Sequence, residues 1–268
     1  MQRNHIHNYL ILFCLAAISL APIGQMILTS FKTQNDLLSG SLFFTPTLSH
    51  YGKLFQTAEF SLYLWNSIYV ATTSTIICII TGAMAAYSLS RFRFKGRNLF
   101  AMLTLFLRTV PLAVLAVPVF LIWASWGLTN SLFGLILLYC AVNLPFTIWI
   151  LYGFFDQLPE ELEEAALMDG ANYLTIFVKI ILPLIMPGLA AAAIFTFRIA
   201  WNDFILAFVL TDMDTRTISV AASLFITDVG VEWGKIMALG TIIALPPLLI
   251  TIFFSRHIIG GLTAGAVK

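Results

Sequence analysis

The stretch EELEEAALMDGANYLTIFVKIILPL, from Glu160 to Leu184, differs from the apolar chain around it. It starts with clustered carboxylates, passes a glycine at position 170 and becomes amphipathic before Pro183. Pro159 suits the first turn of a helix, and carboxylates there favour the positive end of the helix dipole. Gly170 can end that helix because glycine adopts the left-handed conformation at little cost. The pattern predicts a short helix, a sharp turn and a second helix.

The second helix is predicted over about 173–182, feeding directly into the next apolar run. Its helical spacing predicts a buried side formed by Leu174, Phe177, Val178 and Ile181. A rigid bent element of this kind can transmit a push from below into a membrane helix.

The composition around this stretch is that of a membrane protein. Of 268 residues, 60% are hydrophobic and 10% are charged, whereas soluble domains carry about 25% charged residues. The uncharged run from Asn4 to Phe31 is longer than a signal-peptide core and predicts a retained first helix. Charges bracket six runs near the roughly 20 residues that cross a bilayer, namely 9–29, 60–89, 99–123, 131–155, 184–210 and 236–255. We therefore predict one domain over 1–268, an all-α polytopic bundle of six spans.

The distribution of basic residues predicts the orientation. The loop SRFRFKGRN, residues 90–98, is the densest basic cluster, and cytoplasmic loops carry an excess of Lys and Arg. Placing it in the cytoplasm puts both termini inside, with eight basic residues inside and four outside. The loop 156–183 then also lies in the cytoplasm, although it holds six of the chain's 13 acids. Something other than orientation must account for its acidity.

The spacing in this loop resembles the signature loop of ABC importer permeases. Glu164-Ala165-Ala166 is followed by three residues, Gly170, nine residues and Ile180-Ile181-Leu182-Pro183. Further stretches resemble the carbohydrate branch, the smaller permease of maltose-type importers: NSIYVA from Asn66, AAYSLSRFRFKGR from Ala85, WGLTNSLFGLIL from Trp126, LPFTIWIL from Leu144 and WNDFILA from Trp201. The resemblance covers nearly the whole chain and implies the ABC type I importer permease fold.

The resemblance also implies how the loop works. It would be a coupling helix between spans four and five, docking in a cleft of a cytoplasmic ATPase. The residues expected at that contact are Glu160, Glu161, Glu164, Ala165, Ala166, Asp169, Gly170 and Ala171. The implied partners are a second, similar permease, two ATPase subunits and an extracytoplasmic sugar-binding protein in the inner membrane of a bacterium. ATP and magnesium would bind to the ATPase subunits, and no cofactor is expected in this chain.

Polar residues inside the predicted spans indicate a path for substrate, because intramembrane ionisable groups usually face a cavity or a partner. The residues expected there are Arg108, Trp123, Asn143, Arg198, Asn202 and Asp203. Prolines 111 and 118 are expected to bend the third span towards a cavity. Three alternatives stay open. Arg198 and Asp203 are also explained by ion pairing within the chain or with a neighbour, and the membrane arginines by an anionic group on a modified sugar. Trp123 is also explained by a belt of tryptophans at the membrane interface.

Other functions find less support in the sequence. The segment GVEWGKI, residues 230–236, lacks the first glycine and the Ser/Thr of a phosphate-binding loop. Cys14, Cys78 and Cys140 lie in apolar runs and are interpreted as small core residues; His5 and His7 have no further ligands near them, so no metal site is expected. No basic stripe indicates nucleic acid, and no catalytic constellation indicates an enzyme. The rivals are an importer of polyamine or phosphate, and a secondary transporter driven by an ion gradient.

Overall fold

The fold was analysed in a computed structural model that describes residues 2–41, 43–227 and 230–264. The first half of these residues forms α1 (Gln2–Ser30), α2 (Gln34–Ser39), α3 (Ser49–Gln56), α4 (Ala58–Arg91), α5 (Arg97–Leu107), α6 (Leu112–Ser125) and α7 (Leu132–Phe155). Side chains are not described for residues 2–6, 58, 226, 227, 230 and 255–264. The predictions about His5, Arg3, Arg256 and Lys268 therefore lie outside the described residues.

The second half begins with α8 (Glu161–Met168), α9 (Tyr173–Ile176), a π-helical segment (Phe177–Ile181), α10 (Leu182–Leu184), α11 (Met186–Asn202) and α12 (Ile205–Leu210). It continues with α13 (Ile218–Ala221), a 3₁₀ turn (Ala222–Phe225), an antiparallel pair of short strands, β1 (Ile226–Thr227) and β2 (Gly230–Val231), and α14 (Trp233–Ala264). The all-α prediction is confirmed, and the two short strands are a local hairpin.

Four helical segments are long and apolar enough to cross a membrane: His7–Ser30, Glu59–Arg91, Leu132–Phe155 and Trp233–Phe254. They coincide, within a few residues at either end, with the predicted spans 9–29, 60–89, 131–155 and 236–255. Two bent helix pairs pass the same test, so the described residues offer between four and six spans. The protein is thus a multi-pass membrane protein, and the count of six stays a prediction.

The third predicted span, 99–123, is not one helix. Helices α5 and α6 meet at 102°, with Arg108 ending α5 and Pro111 in an extended conformation before α6. Proline has no N–H to continue the helical ladder and restricts the residue before it. The expected bend is therefore present at Pro111, where it is sharp enough to divide the run, whereas Pro118 lies inside α6.

The fifth predicted span, 184–210, is divided as well. Helix α11 begins at Met186, at 77° to the preceding Tyr173–Leu184 segment, and ends at Asn202. Asp203 is extended, and its Oδ2 accepts a hydrogen bond of 3.0 Å from the N–H of Ala207 in the first turn of α12. A carboxylate that satisfies a backbone donor at a helix start competes with a continuous helix. Asp203 is therefore the break between α11 and α12.

The described residues fall into two compact units. That the chain forms a single domain stays a prediction. The first unit comprises Met1–Ser61 and Val220–Leu245. Within it Thr33 caps α2, and the ring of His50 lies 2.9 Å from the carbonyl oxygen of Lys32 through Nε2. The same ring packs against Gly234 so closely that a Cβ there would collide with it.

The second unit comprises Leu62–Ser219 and Pro246–Lys268. Small residues bring its helices together: Gly82 of α4 lies against Thr147 of α7, and Gly188 of α11 lies against Phe154 of α7. Small residues allow this close approach of helices in lipid. Asn66 donates from Nδ2 to the carbonyl oxygens of Asp214 and Arg216, both at 3.0 Å. These bonds hold the loop before α13 against α4.

Candidate functional site

The loop between α7 and α11 has the predicted shape of helix, turn and helix. Helix α8 carries Glu161, Glu163 and Glu164 in its first turn. Its end is closed by two bonds, from the N–H of Ala171 to the carbonyl of Ala166 and from the N–H of Gly170 to the carbonyl of Leu167, each 3.0 Å. Gly170 has φ of 84°. This pair of bonds around a left-handed glycine is a Schellman motif, so the turn depends on Gly170.

Glu163 fixes α8 to the end of α4. Its Oε1 accepts a hydrogen bond of 2.5 Å from Nε of Arg91, and its Oε2 accepts one of 2.6 Å from the hydroxyl of Tyr87. Arg91 also donates from Nη2 to the carbonyl oxygen of Leu158, at 3.0 Å, just before α8. We call these three side chains, Tyr87, Arg91 and Glu163, the α4–α8 lock. It ties the first turn of α8 to the end of α4.

Beneath the lock lies an apolar cluster that joins α4, α7, α8 and the π-helical segment. Its members include Ala86, Phe155, Ala166, Ile176 and Ile181. The rings of Tyr87 and Phe177 meet with centroids 5.0 Å apart. Packed side chains thus join α8 to several membrane helices.

The predicted coupling residues divide between two faces of the loop. Six are exposed: Glu160, Glu161, Glu164, Ala165, Asp169 and Gly170. Ala166 is buried in the cluster, and Ala171 is half-buried. The exposed face also presents Met168, 88% of which is accessible. The contact surface offered by α8 is thus acidic with an apolar end, and Ala166 lies behind it.

The predicted buried side of the second helix is partly wrong. Ile181 is buried and Phe177 half-buried, but Leu174 is 72% exposed and Val178 is 50% exposed. Ile176 is buried instead. The cause is the π-helical segment, whose longer turn places residues five apart on one face, here Ile176 and Ile181.

Sequence reasoning missed Glu163 and both of its partners. Glu163 was one of several acids in the loop, and Arg91 was counted only as an orientation signal. A usable signal was present: Glu163 and Ala166 are three residues apart, so they share a helix face. Had Ala166 been assigned to the inner face, Glu163 would have followed.

A cavity of about 520 Å³ lies between α5, α6, α7 and α11, and three of the predicted substrate-path residues line it: Arg108, Trp123 and Asn143. We call it the Asn143 cavity. Trp123 donates from Nε1 to the carbonyl oxygen of Gly134 at 2.9 Å, and its ring stacks on that of Trp126 with centroids 5.8 Å apart. The guanidinium of Arg108 stacks on Phe146, 3.4 Å from the ring centroid. The structure thus gathers residues that lie far apart in the sequence.

Asn143 is the unusual member of this cavity. The residue is 2% exposed, and within the described residues neither Oδ1 nor Nδ2 has a hydrogen-bond partner. Buried amides are nearly always paired, and each exception calls for an explanation.

The remaining predicted path residues, Arg198, Asn202 and Asp203, line a second cavity of about 340 Å³. Both cavities include Leu112 and Ile199 in their walls. Asp203 is buried, and its Oδ2 accepts a hydrogen bond of 2.9 Å from the hydroxyl of Tyr139. The ion pairs of the described residues, Arg91–Glu163 and Lys235–Glu232, include neither Arg198 nor Asp203. An Arg198–Asp203 pair within the chain is therefore absent from the part that the structure describes.

Comparison with known proteins agrees with this geometry. Residues 78–262 match the family described as binding-protein-dependent transport system inner membrane component. The chain is 36% identical over 259 residues to the trehalose/maltose transport system permease protein MalG of Thermococcus litoralis, covering 95% of this chain and 93% of that one. It is 36% identical over 270 residues to the diacetylchitobiose uptake system permease protein NgcG of Streptomyces coelicolor, covering 98% and 88%.

The fold is also similar to that of a solved structure. A chain of a bacterial ABC transporter involved in the import of the acidic polysaccharide alginate superimposes with a TM-score of 0.78 at 22% identity, over 95% of this chain and 96% of that chain. The ABC importer permease fold is thereby confirmed. The protein accordingly belongs to the family of inner membrane components of binding-protein-dependent transport systems.

Proposed function

We propose that the chain is the permease subunit of an ATP-driven ABC importer and forms half of the translocation path for a sugar or sugar derivative. Family membership supports the permease role. Two relatives of 36% identity are named for the transport of disaccharides, trehalose or maltose in one and diacetylchitobiose in the other. Carbohydrate is therefore the substrate class that we assign to this chain.

The observation that carries the proposal is the α4–α8 lock. A helix that receives a push must be fixed to the element that it moves, and Glu163 ties α8 to the end of α4 at 2.5 Å from Arg91. The exposed face of α8 stays free for a partner, with Glu160, Glu161 and Glu164 at one end. An acidic surface of this kind fits a basic cleft, because complementary charges steer and orient two partners.

The proposed function implies four partner subunits besides this chain. Two cytoplasmic ATPase subunits would bind ATP and magnesium and hold the exposed face of α8. A second, similar permease would complete the path, and an extracytoplasmic binding protein would deliver the sugar. ATP binding would draw the coupling loops together and tilt the membrane helices, which is a shift between two packings of one bundle. The chain itself catalyses no reaction.

The proposed function also implies a location and an orientation in the membrane. We place the chain in the cytoplasmic (inner) membrane of a bacterium, with both termini and the loop 156–183 in the cytoplasm. The basic loop at 90–98 supports this orientation. Labelling a cysteine introduced at Met168, which is 88% exposed, with a membrane-impermeant maleimide tests it. We expect the reagent to label this cysteine only when it can reach the cytoplasmic side of the membrane, and not in intact cells.

ATP-dependent uptake is the direct test of function. The chain would be co-expressed with its ATPase, permease and binding-protein partners, and uptake of labelled disaccharides measured in proteoliposomes with and without internal ATP. We expect uptake only with ATP and only with a hydrolysis-competent ATPase. Uptake that persists without ATP and follows an imposed ion gradient would establish a secondary transporter. Uptake of polyamine or phosphate, with no sugar transported, would replace the substrate class.

A further inference from the structure

The Asn143 cavity contains a buried polar group that has no partner among the described residues, which points to a ligand. Both polar atoms of the Asn143 amide lack a hydrogen-bond partner within the described residues, and the residue is 2% exposed. Burying an amide without such a partner is unfavourable. The cavity of about 520 Å³ beside it lies within the usual range of small-molecule sites. A ligand that can both donate and accept hydrogen bonds would satisfy the amide.

The charge around the cavity is positive. Arg108 lines it, and Arg198 lines the neighbouring cavity that shares Leu112 and Ile199. Among the described residues neither arginine forms an ion pair with a carboxylate. Cations within a membrane segment are costly unless they meet an opposite charge or a water-filled cavity.

The carboxylate in the wall of the second cavity, that of Asp203, forms no ion pair with either arginine among the described residues. Asp203 is held by the hydroxyl of Tyr139 at 2.9 Å and by the N–H of Ala207 at 3.0 Å. Its role is to start α12. The two arginines therefore keep their donors for a further anionic group, and a guanidinium binds a planar carboxylate through two parallel hydrogen bonds.

We infer that the Asn143 cavity is a subsite for the acidic unit of a sugar acid. Arg108 in the wall of the cavity binds the carboxylate, and Arg198 in the neighbouring cavity adds positive charge beside it. The Asn143 amide pairs with ring hydroxyls, and the ring of Trp123 packs against the apolar side of the sugar. This inference rests on the proposed function and narrows its substrate class from sugars to sugars that carry a negative charge.

Matched pairs of sugars that differ only in one carboxylate test it. The chain would be purified with its partner subunits in lipid nanodiscs, and the binding of glucuronate against glucose, and of galacturonate against galactose, measured by equilibrium dialysis. We expect at least one acid to bind about ten times more tightly than its neutral counterpart. Equal binding of acid and neutral sugar in both pairs would overturn the inference.

Arginine variants assign the preference to the cavity. In Arg108→Gln and Arg198→Gln the acid should bind about tenfold more weakly while the neutral sugar changes less than about threefold, and Arg108→Lys should keep most of the preference. Arg93→Gln removes the same charge from the exposed loop after α4 and should change nothing. An acid preference that survives in both glutamine variants would contradict the assignment. A second result would also contradict it. If the glutamine variants purified without the second permease, the arginines would be contacts to that subunit and not ligands of the sugar.

A variant of Asn143 tests the role of the amide independently of the arginines. Asn143→Leu preserves the approximate volume but not the polar atoms, so it should weaken both members of a pair by a similar factor. Unchanged binding in this variant would remove Asn143 from the subsite. Failure of the inference is distinguishable from failure of the proposed function: ATP-driven uptake of neutral sugars without acid preference refutes only the former, whereas absence of ATP-driven uptake of any sugar refutes the latter.

Discussion

The Nε atom of Arg91 lies 2.5 Å from Oε1 of Glu163, and each of the two side chains is 9% exposed. The pair joins the last residue of α4 to the first turn of α8. Removing one partner of a buried ion pair leaves the other charge unpaired, which costs about 3–5 kcal/mol. We expect Glu163→Ala to lower the stability of the purified chain by about this amount, measured by denaturant titration in detergent.

A matched control lies two residues away. Glu161 has the same chemistry but is exposed, so Glu161→Ala should change stability by no more than about 0.5 kcal/mol. The double variant Arg91→Met with Glu163→Leu should recover most of the loss, because an apolar pair can replace a buried ion pair without penalty. If Glu163→Ala lowered stability no more than Glu161→Ala does, the lock would contribute nothing to stability.

A substitution at Gly170 tests coupling without preventing the chain from folding into the membrane. Its φ of 84° is left-handed, and no neighbouring atom lies within 4 Å of the position that a Cβ would occupy. A β-branched residue there is strained by about 1–2 kcal/mol through the backbone alone. We expect Gly170→Val to insert normally but to lose ATP-driven sugar uptake, because the spoiled turn misdirects α8.

Gly40 provides the comparison for that variant. It has φ of 66° with equally open surroundings and ends α2. Gly40→Val should carry similar strain yet keep uptake, and Gly170→Asn should keep most of it because asparagine tolerates the left-handed region. Normal uptake by Gly170→Val would count against a coupling role for the loop.

Close packing of α11 on α7 depends on Gly188. A Cβ at this position would lie 2.5 Å from Cγ of Phe154. We expect Gly188→Ala to destabilise the chain by about 1–3 kcal/mol, as overpacking does, and Phe154→Leu to relieve the effect when combined with it. Gly153→Ala, beside Phe154 but with no atom within 4 Å of the new Cβ, is the control and should be neutral or stabilising in the same thermal melt.

The hydroxyl of Tyr139 holds Asp203 at the junction of α11 and α12. It is 2.9 Å from Oδ2, and both residues are buried. Tyr139→Phe removes a donor from a buried carboxylate and should lower stability by about 1–3 kcal/mol. Tyr69→Phe, at an exposed position of α4, should have no measurable effect. A melt of Tyr139→Phe identical to that of the unchanged chain would show that Ala207 alone satisfies the carboxylate.

Local rules predicted much of the coupling loop. A glycine after an amphipathic run predicts a helix stop, and Gly170 closes α8 through two backbone bonds of 3.0 Å. The four uninterrupted membrane helices follow from length and hydropathy alone. The position of Pro111 indicated a bend, but its size of 102° depends on what α5 and α6 pack against.

Long-range partners could not be inferred from the same rules. Arg91 and Glu163 are 72 positions apart, and nothing in either local pattern selects the other. The lining of the cavity was easier to predict, because polar side chains such as Arg108 and Asn143 are energetically unfavourable inside a membrane unless they face a cavity or a partner. Which of them lacks a partner became visible only when their surroundings were known.

The π-helical segment at Phe177–Ile181 has a consequence for how the loop can be altered. A π turn holds about one residue more than an α turn, so deleting a single residue from it would rewind the segment to the α register. Four residues in an α turn rotate the chain about as far as five residues in a π turn, so the helices on either side would keep nearly the same relative orientation. Ile176 would stay in the apolar cluster, and the acidic surface of α8 would keep its direction. The chain can therefore lose one residue at this place without redirecting α8, whereas the same deletion inside α8 would rotate the residues before it by about 100°.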